Sequence, residues 1–186
     1  MLVILSGVAG AGKDTVKKEI IKKMENVTSI PSFTDRPQRP GDIPGQTYLF
    51  ISRQQFENMI NNNELYEYDM HHNNYYGVGK KVLDNEVKKG NIIIKDIEVN
   101  GTENLVKILK DKIKVITIFL KVPKEELRKR LENRIDLPSQ DEINLRLSRF
   151  DYEESKMNSY NYVINNDNLE KTVNIISTII ENEYKM

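Results

Sequence analysis

The chain contains no cysteine. That excludes disulfide staples, thiolate metal sites and thiol nucleophiles, and it suits a reducing compartment. Histidine is almost as scarce, for His71 and His72 are adjacent in a polar turn. No Ser-His-Asp constellation can be built from them, and without matching carboxylates or thiols the pair reads as a turn rather than a metal site. An excess of either charge is missing too, since 28 basic residues balance 28 acidic ones. Such a balance leaves no footprint for nucleic acid or for an anionic membrane. No run reaches the ~18 apolar residues that a membrane helix needs. The opening residues show neither a basic leader nor an apolar stretch of signal-peptide length. The expectation is a soluble, cytoplasmic chain with neither nucleic-acid nor membrane partners. A length of 186 residues fits one domain with small insertions, burying about 70% of its unfolded surface.

What is present begins at the second residue. Leu2-Val3-Ile4-Leu5-Ser6 delivers the backbone into Gly7-Val8-Ala9-Gly10-Ala11-Gly12-Lys13, and a helical pattern (Val16, Ile20, Ile21, Met24) follows. Strand, glycine-rich turn and helix in this order form a phosphate-binding loop. Glycines let successive N–H groups of Ala9, Gly10, Ala11 and Gly12 converge on an anion, the helix start adds its positive end, and Lys13 supplies a mobile charge. Where such loops carry Ser or Thr after the lysine, this chain has Asp14, then Thr15. Either Asp14 meets Mg²⁺ directly, as a carboxylate suits a hard cation, or Thr15 takes that role.

Beyond the loop, short apolar runs alternate with helical patterns. Strands are predicted at Leu2–Leu5, Ile92–Lys95, Val115–Leu120 and Tyr162–Ile164. Helices are predicted at Lys13–Met24, Lys80–Lys89, Glu103–Leu109, Lys124–Asn133, Asp141–Met157 and Leu169–Glu183. The run Val115–Leu120 is apolar almost throughout, as a strand buried on both faces should be. This alternation gives an α/β fold with a parallel sheet covered by helices. Ser139-x-x-Glu142 is a capping box and Gly90 a helix stop. The segment from Asp35 to Gly79 breaks the rhythm with prolines, two strand-like runs (Thr47–Ile51, Glu64–Met70) and a short helix, Ser52–Ile60. It reads as a small antiparallel insertion at 35–79 on a core of 1–34 and 80–186. A second irregular patch, Ile135–Gln140, separates two arginine-bearing helices.

The insertion carries Arg36 and Arg39 on a turn stiffened by Pro37 and Pro40. Guanidinium forks on a low-entropy loop suit a phosphate ester, although such a loop also occurs as plain solvated surface. The order of blocks decides between these readings. Ser32-Phe33-Thr34-Asp35-Arg36-Pro37-Gln38-Arg39-Pro40-Gly41 resembles the acceptor loop of guanylate kinases. Gly45-x-x-Tyr48-x-Phe50, Glu67-Tyr68, Asn74-Tyr75-Tyr76-Gly77, Asp96-Ile97-Glu98-Val99-Asn100-Gly101, Leu127-x-x-Arg130-Leu131-x-x-Arg134, Ile143-x-x-Arg146-Leu147 and Asn166-Asp167-Asn168 follow in that family's order and spacing.

The resemblance implies a P-loop kinase core with a monophosphate-binding insertion and a lid around 130–145. It implies that Arg36, Arg39, Tyr48 and Tyr76 grip the acceptor phosphate, and that Ser32 and Glu67 read guanine. Asp96 would stand near the metal and the reacting phosphates. Arg130, Arg134 and Arg146 would bring cations to the triphosphate, and Asn166 would lie beside the donor adenine. Two base-reading positions depart from the family pattern. Val78 replaces a hydroxyl residue and Glu98 is one methylene longer than the usual Asp. Losing a hydroxyl donor costs about 0.5–1.5 kcal/mol, enough to blur base selection without abolishing it.

The implied activity is transfer of the γ-phosphoryl group of ATP to GMP or dGMP. Mg²⁺ would be held near Asp14, Thr15 and Asp96, and small-molecule nucleotides would be the only ligands. Monomer and homodimer are both compatible. Val78 and Glu98 keep open a second acceptor class, another deoxynucleoside monophosphate or a phosphorylated sugar on the same scaffold. A non-catalytic guanylate-kinase-like binding module is opposed by the retained Gly12-Lys13 and by the arginines of both loops.

Overall fold

The computed structural model describes residues 1–39, 42–71, 73–133 and 138–185. In chain order the elements are β1 (Leu2–Ser6), α1 (Lys13–Lys23), β2 (Val27–Thr28), β3 (Ser32–Thr34), β4 (Tyr48–Phe50), α2 (Arg53–Asn61), β5 (Leu65–His71) and β6 (Asn74–Gly79). Then follow α3 (Lys80–Lys88), β7 (Ile92–Asp96), α4 (Val99–Leu109), β8 (Val115–Lys121), α5 (Lys124–Glu132), α6 (Gln140–Ser148), α7 (Phe150–Ser155), a 3-10 turn (Met157–Ser159), β9 (Tyr162–Asn165) and α8 (Leu169–Lys185).

Five strands form a parallel sheet in the order β2-β7-β1-β8-β9. Strand pleating sends alternate residues of β1 to opposite faces. Val3 and Leu5 join a cluster containing Val16 and Ile20 of α1, Leu127 and Leu131 of α5 and Ile176 and Ile180 of α8. Leu2 and Ile4 join another containing Leu83 of α3 and Leu105 and Leu109 of α4. Both faces are therefore covered, which is why the strand sequences are continuously apolar. The connection leaving β1 runs toward β2 and the one leaving β7 crosses to β8, so the sheet switches direction at the end of β1. Open parallel sheets bind ligands at that place. No helix among the described residues is long and apolar enough to cross a membrane.

The insertion is built on a second sheet of four strands, β4-β3-β6-β5. It is mixed rather than antiparallel, because β3 and β4 run parallel, Ser32 beside Tyr48 and Thr34 beside Phe50. The stretch between them is long enough to return the chain to its starting direction, as a parallel pair requires. Strand β3 lies N-terminal to position 35 yet pairs wholly with insertion strands.

Other differences are local. Helix α4 begins at Val99, a turn ahead of the predicted Glu103. The predicted Asp141–Met157 helix is broken at Arg149 into α6, α7 and the 3-10 turn. Ser139 caps α6 by accepting from the Glu142 N–H at 3.2 Å, but the Glu142 carboxylate takes Arg146 instead of closing the box. A complete capping box occurs at Ser52 and Gln55, where it starts α2. Gly90 ends α3 at φ +78° as predicted.

Candidate active site

The phosphate loop leaves β1 through Gly7 and closes on the N-terminus of α1. Gly12 caps that helix at φ +87°, and a Cβ there would come within 2.9 Å of the Asn166 Nδ2. Only glycine fits both the backbone angle and the space. Asn166, buried at the end of β9, donates its amide to the Ala11 carbonyl at 2.7 Å and accepts from Arg130 Nη2 through its own carbonyl at 3.0 Å. This residue, predicted beside an adenine, ties the loop to the end of the sheet. Ala11 differs from its neighbours: its N–H is committed to the Val8 carbonyl at 3.0 Å and its side chain is buried, so it offers nothing to the cleft. Lys13 donates its ammonium to the Gly7 carbonyl at 2.6 Å.

Across the cleft, Arg36 is 6% exposed, with its guanidinium 5.1 Å from the Tyr48 ring centroid and 5.5 Å from that of Phe50. Tyr76 packs edge-on against Tyr48 at 5.9 Å. Burial first of all raises both phenols, so each keeps its proton to donate at neutral pH. The Asp42 carboxylate accepts from Arg36 Nη2 at 2.9 Å and from the Arg39 N–H at 2.7 Å. A carboxylate oxyanion of the chain itself thus occupies these donors. Pro40 and Gly41 of this loop lie outside the described residues.

Between the two cradles, β7 and β5 bring charges together. Asp96 receives the Lys17 ammonium at 2.6 Å. Burial alone would raise the Asp96 carboxyl, but Lys17 and Lys95 outweigh it and hold the group well below the usual carboxylate range. Lys95 is buried, donates to the Ile30 carbonyl at 3.0 Å, and is lowered to about 8 mainly by burial. Glu67 is 8% exposed. Burial, with Asp69 and Glu98 adding like charge and Lys95 opposing, pushes it up to about 7. Gly101 lies under that carboxylate, since a Cβ there would approach the Glu67 Oε1 to 2.6 Å. This contact explains a glycine inside α4. Val78, paired with Glu67 across β5 and β6, is 2% exposed and belongs to the apolar cluster beneath the sheet. Glu98 lies 3.8 Å from the Arg149 guanidinium.

One cleft of about 1130 Å³ joins the cradles. Every predicted site residue lines it except Ala11, placed as above, and Arg134, which lies outside the described residues together with His72 and 135–137 of the irregular patch. Among the arginines of the lid region, Arg130 bonds Glu126 at 3.1 Å, and Arg146, 7% exposed, takes Glu142 at 2.5 Å. The predicted metal set is divided. The Asp14 oxygens meet Lys17 at 3.2 Å and Lys18 at 2.7 Å, whereas the Thr15 side chain is exposed to the cleft. No cluster of three or more acidic or histidine ligands occurs among the described residues.

Sequence reasoning missed Lys17, Lys95 and Asp42. The first two had a signal: Lys17 interrupts the apolar stripe of α1, and Lys95 ends the fully buried run Ile92–Ile94. A charge on a core-facing position calls for a buried partner. Asp42 had none, because its role depends on how a proline-rich loop folds back.

Comparison with known proteins agrees with this geometry. The sequence model of the family "Guanylate kinase" matches residues 1–183. The guanylate kinase of Wolbachia sp. subsp. Brugia malayi (strain TRS) is 33% identical over 184 residues, covering 98% of this chain and 93% of that protein. The guanylate kinase of Bartonella henselae is 37% identical over 179 residues, covering 96% of this chain and 79% of that one. The crystal structure of guanylate kinase from Anaplasma phagocytophilum superposes with a TM-score of 0.81 at 29% identity, covering 100% of this chain and 87% of that chain. Shikimate kinase from Bacteroides thetaiotaomicron, at 15% identity and a TM-score of 0.54 over 97% of this chain and 98% of that one, shares the fold.

Proposed function

This chain belongs to the guanylate kinase family, and from that premise we propose that it transfers the γ-phosphoryl group of ATP to GMP or dGMP. The observation that carries the reading is the single cleft with a phosphate nest at one end and an arginine–tyrosine clamp at the other. Phosphoryl transfer asks the protein mainly for positioning and charge neutralisation. In this reading, the loop from Ala9 to Lys13 holds the donor phosphates. Arg36, Arg39, Tyr48 and Tyr76 hold the acceptor phosphate, and Ser32 and Glu67 receive the base. The insertion 35–79, together with β3, is the acceptor arm, and the region 130–145 is the lid that brings Arg130, Arg134 and Arg146 onto the triphosphate and excludes water.

The donor set suits a divalent ion carried by a nucleotide rather than caged by protein. Mg²⁺ usually takes one or two protein oxygens beside phosphates and water. Thr15, with its side chain exposed to the cleft, and Asp96, whose side chain keeps 20% of its surface exposed, would hold it. Asp14 and Asp96 share the Lys17 ammonium, and Asp14 meets Lys18 as well, so Asp14 is the more fully neutralised of the two. When bound, Mg²⁺ neutralises charge on the transferring phosphates.

Val78, apolar and packed into the core, supports a second reading in which the base differs from guanine while the phosphate clamp is kept. A panel of monophosphates with ATP separates the two. GMP and dGMP as best acceptors support the proposal; poor use of both beside good use of a pyrimidine nucleotide overturns it.

A further inference from the structure

Lys17 lies one helical turn beyond Asp14, at the i,i+3 spacing that stacks side chains on one helix face. Its Nζ stands 3.2 Å from the Asp14 Oδ1 and 2.6 Å from the Asp96 Oδ1, and the residue is 4% exposed. One ammonium thus bridges two carboxylates that both line the donor end of the cleft. Without it, Asp96 would lose the ammonium 2.6 Å away, and Asp14 would keep only the exposed Lys18 at 2.7 Å, with both carboxylates in the same cleft as the nucleotide phosphates. With it, the net charge of the trio is halved. We propose that Lys17 is a positioning residue of the donor site, the built-in counter-ion that lets an aspartate stand after the loop lysine and holds Asp14 and Asp96 away from conflict with the triphosphate. The proposal rests on the reading of the loop as the ATP site.

The geometry makes a specific demand. Asp14 and Lys17 act as a pair, so losing Lys17 alone is harmful, whereas losing both leaves the net charge of the trio unchanged, with Asp96 as its one remaining carboxylate. A buried salt bridge with a purely structural role would alter stability without distinguishing donor from acceptor. Removing one positive charge beside a polyanion in a partly buried site weakens binding by about tenfold or more.

The test uses the full chain as wild type, Lys17→Met, Asp14→Ser and the double variant. Titration calorimetry measures ATP binding with EDTA and again with Mg²⁺, and GMP binding separately. Lys17→Met is expected to weaken ATP binding about tenfold in EDTA while GMP binding moves less than about twofold. Asp14→Ser tightens ATP binding, and the double variant recovers to within about threefold of wild type. Lys17→Gln, which keeps a polar end in the same space, is read in the same way if the methionine variant does not fold. Unchanged ATP affinity on loss of Lys17, or a double variant as weak as the single, overturns the proposal. A wild type that binds no ATP at all would instead overturn the functional reading.

Discussion

Glu67 offers the sharpest perturbation, because one carboxylate is asked to be buried, charged and specific. A carboxylate accepts from the ring N–H and exocyclic amine of guanine only in its ionised form. Its burial among Asp69 and Glu98 raises it from 4.5 to about 7, with Lys95 limiting the rise. A group titrating near 7 is about one-tenth ionised at pH 6 and nine-tenths at pH 8, so kcat/KM for GMP should rise about tenfold across that interval. The acceptor phosphate has its own ionisation near 6, and Glu67→Gln separates the two effects. The amide should raise KM for GMP by about 10- to 100-fold, as expected for loss of a charged hydrogen-bond acceptor. It should also remove the part of the pH rise that belongs to the carboxyl. Stability moves the opposite way. The folded protein binds the Glu67 proton more tightly than the unfolded chain, so stability is lost as pH rises from 4.5 through about 7. The loss amounts to about 3 kcal/mol from this group, and denaturant titrations of wild type and Glu67→Gln would show it as a difference in slope with pH. Identical pH profiles for kcat/KM in the two proteins would refute the reasoning.

Two further outcomes follow from single contacts. Gly101→Ala places a methyl carbon 2.6 Å from the Glu67 Oε1, too close for the carboxylate to stay where it is. KM for GMP should therefore rise about tenfold, roughly one displaced hydrogen bond, with KM for ATP unmoved in initial-rate kinetics. Asp42→Asn removes the internal anion from Arg36 and the Arg39 N–H. GMP binding measured by calorimetry should tighten about 3- to 10-fold as that competition disappears; weaker binding would mean that Asp42 serves to hold the clamp open.

Much of this arrangement was legible in the residues, for physical reasons that differ from place to place. Leu2–Leu5 and Val115–Leu120 could be read as strands because a strand buried on both faces is apolar nearly throughout. The loop after it was legible because few residue types tolerate positive φ at Gly7, Gly10 and Gly12. Strands β2 and β3, two and three residues long, are too short to show a period. Their pairing is fixed by partners far along the chain, so the mixed character of the second sheet could not be seen locally. At the break, Arg149 lies 3.8 Å from Glu98 at the cap of α4 and 3.3 Å from Glu153 of α7. The candidate site residues were proposed from motif order; Lys17 and Lys95 showed only as charges on buried positions whose partners the sequence does not name, and Asp42 emerges only from tertiary neighbours.

The central claim is that donor and acceptor cradles share one cleft and work together. Binding of a bisubstrate analogue, adenosine and guanosine joined through five phosphates, tests it directly by calorimetry with competition. The account predicts a stoichiometry of one, affinity above that of either nucleotide alone, and displacement by ATP and by GMP separately. Displacement by only one of them, or two molecules bound per chain, would contradict it.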